Sequence, residues 1–428
     1  MTLLPPTNQG LSQRCWPWEV ARLLLAATVR DAKLLGMKNH ARRQVLHAVA
    51  GSLILGAAPR ILQAKPTALR IGVMLPASGT YAPLGAAILQ GMRLALQESG
   101  GQWAGRPVEF ITIDDESNPS KAPEQANRLI ARDRVDLLVG SVHSGVALGM
   151  AKVARESGHL MLIPNAGAND LTGSACAPNV FRTSFSNWQT IYPLGKVMAD
   201  KGIKTAAFLT WKYTAGQEYA EAFAQGFEAH GGKVLTSLTL PFPQLEFGPL
   251  LTQIAAARPQ AVSCFFSGSG AAKFLLDYAR SGLKDKIPLY VTGHTTEGIL
   301  HALKGEAEGI TSVLHYADGL PNAKDKAFRA AWKKVSKLPV DVFAVQGYDT
   351  GLVLAQALKA TQGDPAARVM QKALEGIRIS SPRGDWIMSK AHNPIQDIYL
   401  RQVVGEQNLY KGVAAKALED PGSNCRLS

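Results

Sequence analysis

The feature that most constrains this chain is a strand-to-helix junction that recurs along it. Its clearest copy is Asp136 to Ala147, DLLVGSVHSGVA: an apolar strand core at Leu137 to Val139, a glycine, a polar turn, then Val146, Leu148, Met150 and Val153 at helical spacing. Such a turn lies at the carboxyl end of a strand and the amino end of a helix. First-turn amides have no helical acceptor, and ligands of open α/β sheets collect at these carboxyl edges. Ser141, His143 and Ser144 supply side-chain donors there. The competing reading of Ser144 is a plain helix cap.

The unit repeats. LRIGVMLP is a strand that ends in PASGTYAPLG and leads to a helix over 86–98. VEFITIDDESNP is the next strand, Asn118 to Lys121 open a helix through Ile130, and Leu160 to Ile163 is a short strand ending at PNAGAND. Right-handed crossovers then give a parallel sheet covered on both faces. The turns Ser78 to Leu84, Ser141 to Gly145 and Asn165 to Ala168 should share one sheet edge. Beyond the extended Phe181 to Ser184 the pattern starts again, with TAAFLT entering WKYTAGQEYA, then KVLTSLTLP, AVSCFFSGSG ahead of a helix over 271–280, and PLYVTGHTTEG. Ile310 to Tyr316 is extended, 324–336 and 346–360 read as helices, and IYLRQVV is a late strand.

The predicted fold is therefore α/β, two Rossmann-like lobes with parallel sheets. A return to the first lobe after Tyr316 and a second crossing near Asp397 would join them by a three-segment hinge. The expected lobes are 65–183 with 316–396, and 184–315 with 397–428.

Charge bears on partners and destination. Of the net +13, six charges fall in residues 1–64, where eight Lys/Arg face two Asp/Glu. The rest are scattered, with no basic block interleaved with aromatics, so no nucleic-acid partner is expected. Lys38, Arg42 and Arg43 precede the apolar run Val45 to Ala58, which is short for a bilayer span but suits an export signal. RRQVLHAVAG resembles a twin-arginine signal, with cleavage placed after Ala64. Residues 1–36 read as an over-long start ahead of Met37, with a membrane anchor as the alternative. The expectation is an exported, periplasmic product.

As an ordered set, PASGTYAPLG, DDESNPSKA, DLLVGSVHSG, LIPNAGANDLT, VFRT, AAFLT, YVTG and AVQGYDTGLVLAQAL resemble the leucine/isoleucine/valine-binding family of type I periplasmic receptors for ABC importers. The resemblance covers residues 68 to 405. It implies a two-lobed receptor, expected to be a monomer without a cofactor, that closes on a small solute and delivers it to an inner-membrane permease. It also implies that small polar residues and amides of two turns hold the solute's carboxylate, at positions matching Ser144, Gly145 and Ala166 to Ala168.

The departures bear on the ligand. Amino-acid-binding members place an acid in a late turn of the second lobe to take the ammonium group. Here that turn is Gly293, His294, Thr295 and Thr296, with Glu297 about two positions away. Where those members have an Asp and then a Tyr before a glycine, this chain has Trp211 and Ala215 before Gly216; Leu84 stands where a tyrosine is usual. The expectation is a kept carboxylate clamp, a lost ammonium clamp, and an aromatic or apolar acid contacting Trp211 and Tyr213. Candidate ligand contacts are Ser78, Tyr81, Leu84, His143, Ser144, Gly145, Asn165, Ala166, Gly167, Ala168, Trp211, Tyr213, His294, Thr295 and Tyr316. Trp211 as a packed hinge residue and His294 as a turn hydrogen bond remain open. So do two other functions, a branched-chain amino-acid receptor and a ligand-sensing subunit.

Catalysis finds no support. GSGAAK lacks the third glycine of a dinucleotide loop, and GxSxG, GxxxxGK[ST] and HExxH are absent. Asp114 and Asp115 are adjacent, so they point to opposite strand faces, and they read as a solvated strand end. The histidines form no metal-spaced cluster. Cys15 precedes the expected mature start, Cys264 sits in an apolar strand, and Cys176 and Cys425 either pair in an oxidising compartment or stay free.

Overall fold

The computed structural model describes residues 67–427. The leader, its cleavage site, the Met37 start and Cys15 lie outside the described residues.

The first lobe is built on β1 (Leu69–Leu75), β2 (Gln102–Trp103), β3 (Arg106–Asp114), β4 (Leu137–Gly140), β5 (Leu160–Ile163) and β6 (Val180–Arg182), in the order β2-β3-β1-β4-β5-β6. All pairs from β3 to β6 are parallel, and β2 is an antiparallel edge on β3. Helices α1 (Ala82–Glu98), α2 (Ala122–Ala131) and α3 (Ser144–Ser157) make the crossovers. Leu137 and Val139 enter one core, while Leu138 enters another with Val146 and Met150. That alternation covers both faces of β4 and explains its unbroken apolar run.

The second lobe repeats the order. It contains α4 (Tyr192–Asp200), β7 (Thr205–Lys212), α5 (Thr214–Glu228), β8 (Lys233–Pro241), α6 (Gly248–Ala257), β9 (Ala261–Phe265), α7 (Gly268–Arg280), β10 (Tyr290–Thr292), α8 (Leu300–Leu303) and β11 (Thr311–Leu314). β8-β7-β9 is parallel, a bridge from Val262 to Leu289 carries the sheet towards β10, and β10 pairs with β11 in parallel. In each lobe the first strand thus lies inside the second and third, so the chain reverses direction between β1 and β4 and between β7 and β9. Ligands bind at that reversal in doubly wound sheets.

After β11 the chain returns to the first lobe through α9 (Ala323–Val335) and α10 (Val342–Ala360). α10 lies directly on α1. A Cβ on Gly91 would stand 2.2 Å from Ala344 O, and one on Gly347 would stand 1.9 Å from Ile88 O, so only glycine permits the approach. α11 (Ala367–Leu374), β12 (Arg378–Ser381) and β13 (Gly384–Met388) follow, and then β14 (Pro394–Val404) pairs with β13 at its start and with β11 further on. One strand therefore carries the late crossing expected near Asp397. β15 (Gln407–Leu418) pairs antiparallel with β14, so the second lobe's sheet is mixed at this edge rather than wholly parallel.

The crossings are heavily bonded. Arg383 donates to Thr183 O at 2.8 Å and Ser184 O at 3.0 Å and pairs with buried Asp349 at 2.9 Å. Arg401, 0% exposed, pairs with Glu297 at 2.5 Å and donates to Tyr316 O and Gly293 O.

The tail departs from expectation. The expected second lobe takes in all of 397–428, yet beyond β15 Asp420 meets Thr172 of the first, and a disulfide joins Cys425 to Cys176. Polar groups at the start of the tail and the covalent bond bring it back. The bridge spans 249 residues of sequence, so Cys176→Ser is expected to lower stability by about 2–5 kcal/mol. Thermal unfolding with and without reductant checks this: the parent should fall to the variant's midpoint when reduced.

Candidate functional site

The two reversal points face each other across a narrow cleft, with about 320 Å³ of space between atoms when the open solvent at its mouth is included. From the first lobe come Tyr81 and Leu84 after β1, Val142 and Ser144 after β4, and Asn165 and Gly167 after β5. The second contributes Tyr213, Ala215 and Tyr219 after β7, Phe265 and Ser267 after β9, and His294 after β10. Phe185 and Asn187 of the crossing and Phe343 of α10 complete the wall.

The lobes touch. Tyr81 Oη and Tyr213 Oη lie 2.9 Å apart. Glu218 of α5 accepts from the Asn169 amide at 3.0 Å and from Asn187 Nδ2 at 2.6 Å. Burial pushes its carboxyl up to about 7, partly offset by those bonds and by Arg182. Gly268 opens α7 at a φ of 60°, and a Cβ there would stand 2.4 Å from Thr80 O of the other lobe.

The β4 turn is organised by a residue other than the expected one. His143 caps α3: Gly145 N donates to its Nδ1 at 3.1 Å. Burial lowers the imidazole to about 4, so at neutral pH it has a free lone pair to accept with. Ser144 is thereby released from capping and turns to the cleft, and its amide is a first-turn donor beyond the reach of any helical carbonyl. Gly145 N is spent on the cap, and Ala166 N donates to Ser141 O at 3.0 Å. Arg182, fully buried, holds the next turn by donating to Ala168 O at 2.7 Å. Gly167 presents its backbone to the cleft because a Cβ there would strike Asn187 Oδ1 at 2.2 Å.

Asp115 corrects the reading of a solvated strand end. β3 stops at Asp114, Glu116 and Ser117 turn with positive φ, and Asp115 folds beneath the β4 turn at 0% exposure. It accepts from Ser141 Oγ and from Ser117 N, and burial raises its carboxyl to about 6. Ser141 is therefore engaged in support rather than at the cleft wall.

Several candidate contacts lie elsewhere. Trp211 is wholly buried, donates from Nε1 to Gln244 O at 2.9 Å, and packs edge-on to Phe242 and Phe266. Gly270 makes the space: a Cβ on it would meet the indole at 2.3 Å. Tyr316 donates to Asp325 at 2.6 Å, also buried. Thr295 is buried with its hydroxyl 3.5 Å from Cys264 O, and Ser78 is exposed. Tyr81, Leu84, Ser144, Asn165, Gly167, Tyr213 and His294 do reach the cleft, whereas His143, Gly145, Ala166 and Ala168 support it from behind.

The wall carries ring faces and neutral polar groups, with no ionised side chain among the described residues that line it. Glu297, the nearest substitute for an ammonium partner in the sequence, is consumed by Arg401, the Val342 amide and Asn408.

Two doubly wound lobes closing on one cleft at facing reversal points define a ligand-binding receptor. The chain belongs to the periplasmic binding protein family, whose model matches residues 68–408. Among solved structures it is similar to a solute-binding protein of an ABC transporter from R. palustris in complex with benzoate, at 45% identity and a TM-score of 0.82, covering 84% of this chain and 99% of that one. A second, from Rhodopseudomonas palustris HaA2 in complex with p-hydroxybenzoic acid, is 29% identical with a TM-score of 0.79, covering 83% and 99%. Among curated proteins, Leu/Ile/Val-binding protein homolog 6 of Brucella melitensis biotype 1 is 28% identical over 365 residues, covering 83% of this chain and 93% of the relative. No helix among the described residues is long and apolar enough to cross a membrane.

Proposed function

We propose that this chain is the extracytoplasmic receptor of an ABC importer for aromatic carboxylates, acting by binding and closure rather than by catalysis. The observation that carries this reading is the composition of the cleft: Phe185, Tyr213, Tyr219, Phe265 and Phe343 offer ring contacts, while no acid stands among the described residues that line it to hold an ammonium group. The hydroxyl and amide of Ser144 and the backbone at Gly167 are the donors for the carboxylate. Benzoate and p-hydroxybenzoic acid in the similar proteins support the same class.

The cycle follows from the fold. Segments near Thr183, Tyr316 and Asp397 act as the hinge between 65–183 with 316–396 and 184–315 with 397–428, apart from the returning tail. Only a ligand that touches both walls favours the closed form, because differential affinity alone shifts the population. The closed receptor, a monomer exported behind a cleaved signal, docks on its inner-membrane permease.

Titration calorimetry with benzoate and leucine tests the reading. The parent should bind benzoate and leave leucine unbound, and Ser144→Ala should cost about 1–3 kcal/mol through a lost hydrogen bond to a charged group. Tight binding of leucine would restore the branched-chain amino-acid function.

A further inference from the structure

One contact between the lobes is made by a group that titrates. Glu218 of α5 lies half-buried at the seam, where the Asn169 amide of the first lobe donates to both its oxygens at 3.0 Å and Asn187 Nδ2 of the crossing donates to Oε2 at 2.6 Å. Asn187 also lines the cleft, so the contact adjoins the ligand site, yet Glu218 itself stands outside the lining residues. Arg182 attracts the carboxylate from β6, but its own hydrogen bonds go to Asn393, Ala168 O and Thr172; Asp170, next to Asn169, repels it. On the Glu218 side stand Tyr213 and Tyr219, phenols that burial keeps neutral, and the exposed Glu221.

The contact tolerates a proton. Oε2 accepts from both donors, so a hydrogen on Oε1 costs only that oxygen's share of the Asn169 bond. With the lobes apart the carboxyl faces water and keeps its ordinary acidity, whereas in the closed form burial, the largest influence, raises it to about 7. Closure therefore takes up a proton. The stability this adds to the closed form is full below the ordinary carboxylate range and is lost as pH rises through about 7.

We propose that Glu218 is a proton-operated latch between the lobes, which makes the receptor hold its solute more tightly in acid than in alkali. It is a positioning residue that acts on the closed population, whatever fills the cleft. The latch rests on the closure cycle above and not on the identity of the ligand.

The test is calorimetry at about pH 5.5 and about pH 8 with benzoate and with leucine, whose carboxylates stay ionised throughout. Whichever ligand binds the parent should bind about tenfold tighter at the lower pH. Glu218→Gln keeps an acceptor and fixes the neutral form, so its affinity should stay near the parent's acid value and differ by less than about twofold between the two conditions. Asp115 also titrates near this range, but it lies beneath the β4 turn within one lobe and contributes equally to parent and variant. Glu218→Ala, which removes both bonds, should weaken binding about tenfold in acid. A parent affinity that changes by less than about twofold overturns the latch, and so does an acid preference that survives in Glu218→Gln. The parent's profile reads this even if a variant does not fold. Binding of leucine in place of benzoate would overturn the aromatic-acid reading and leave the latch to be judged on leucine. Binding of neither overturns the closure cycle and the latch with it.

Discussion

Gly268→Ala is expected to lower affinity for an aromatic carboxylate at least about a hundredfold, close to 3 kcal/mol. The added Cβ would stand 2.4 Å from Thr80 O, a backbone atom of the opposing lobe. Each lobe can fold with the methyl in place, since the clash arises only on closure. The apparent dissociation constant then rises by the factor through which the closed form is depleted. Strain at a φ of 60° adds about 1–2 kcal/mol to the variant whatever the state of the lobes. Calorimetry beside thermal unfolding without ligand separates the two effects. An affinity like the parent's would mean that these two lobes need not meet at Thr80 for capture.

Glu297→Ala should be the costliest single change for stability, about 3–5 kcal/mol. It leaves the Arg401 guanidinium buried without its carboxylate, in the segment where β14 joins the two lobes. It also removes the acceptor of the Val342 amide at the start of α10. Glu297→Gln, which keeps an acceptor but not the charge, should fall between. Urea unfolding of both variants provides the measurement, and a midpoint within experimental error of the parent for Glu297→Ala would show that Arg401 is hydrated after all.

The parallel strands were legible because burial on both faces writes them as unbroken apolar runs, as in LRIGVML and DLLVG, with the polar turn directly after. Their order followed from the repeat, and so did the convergence of the turns carrying Tyr81, Ser144 and Tyr213. β12, β13 and β15 were not legible. They are antiparallel and partly exposed, and the β14–β15 pair has register shifts between Gln396 and Ile398 and again between Leu400 and Arg401. Such breaks scramble the period of two on which a strand is recognised.

Side-chain direction at strand ends was the weaker point. Trp211 and Tyr213 both border the same turn, and nothing local in WKYTAG says which ring meets the cleft. Gly270, 59 positions later, provides the space that draws the indole inward. Phe185, Asn187 and Phe343 escaped notice for the same reason, as their places depend on the crossing and on α10 rather than on a recurring motif. Ser267 was within reach, being the first polar residue after β9 and the N-cap of α7, the position that His143 holds on α3.

A wall without ionised side chains has a further consequence for a member of the periplasmic binding protein family. Counter-ions weaken attraction between exposed charges over a distance of about 10 Å at 0.1 M salt, and over shorter distances as salt rises. Ring faces, a serine hydroxyl and peptide dipoles enclosed between closed lobes give those ions little to screen. Contacts within the cleft should therefore change little in strength as the salt around the protein rises.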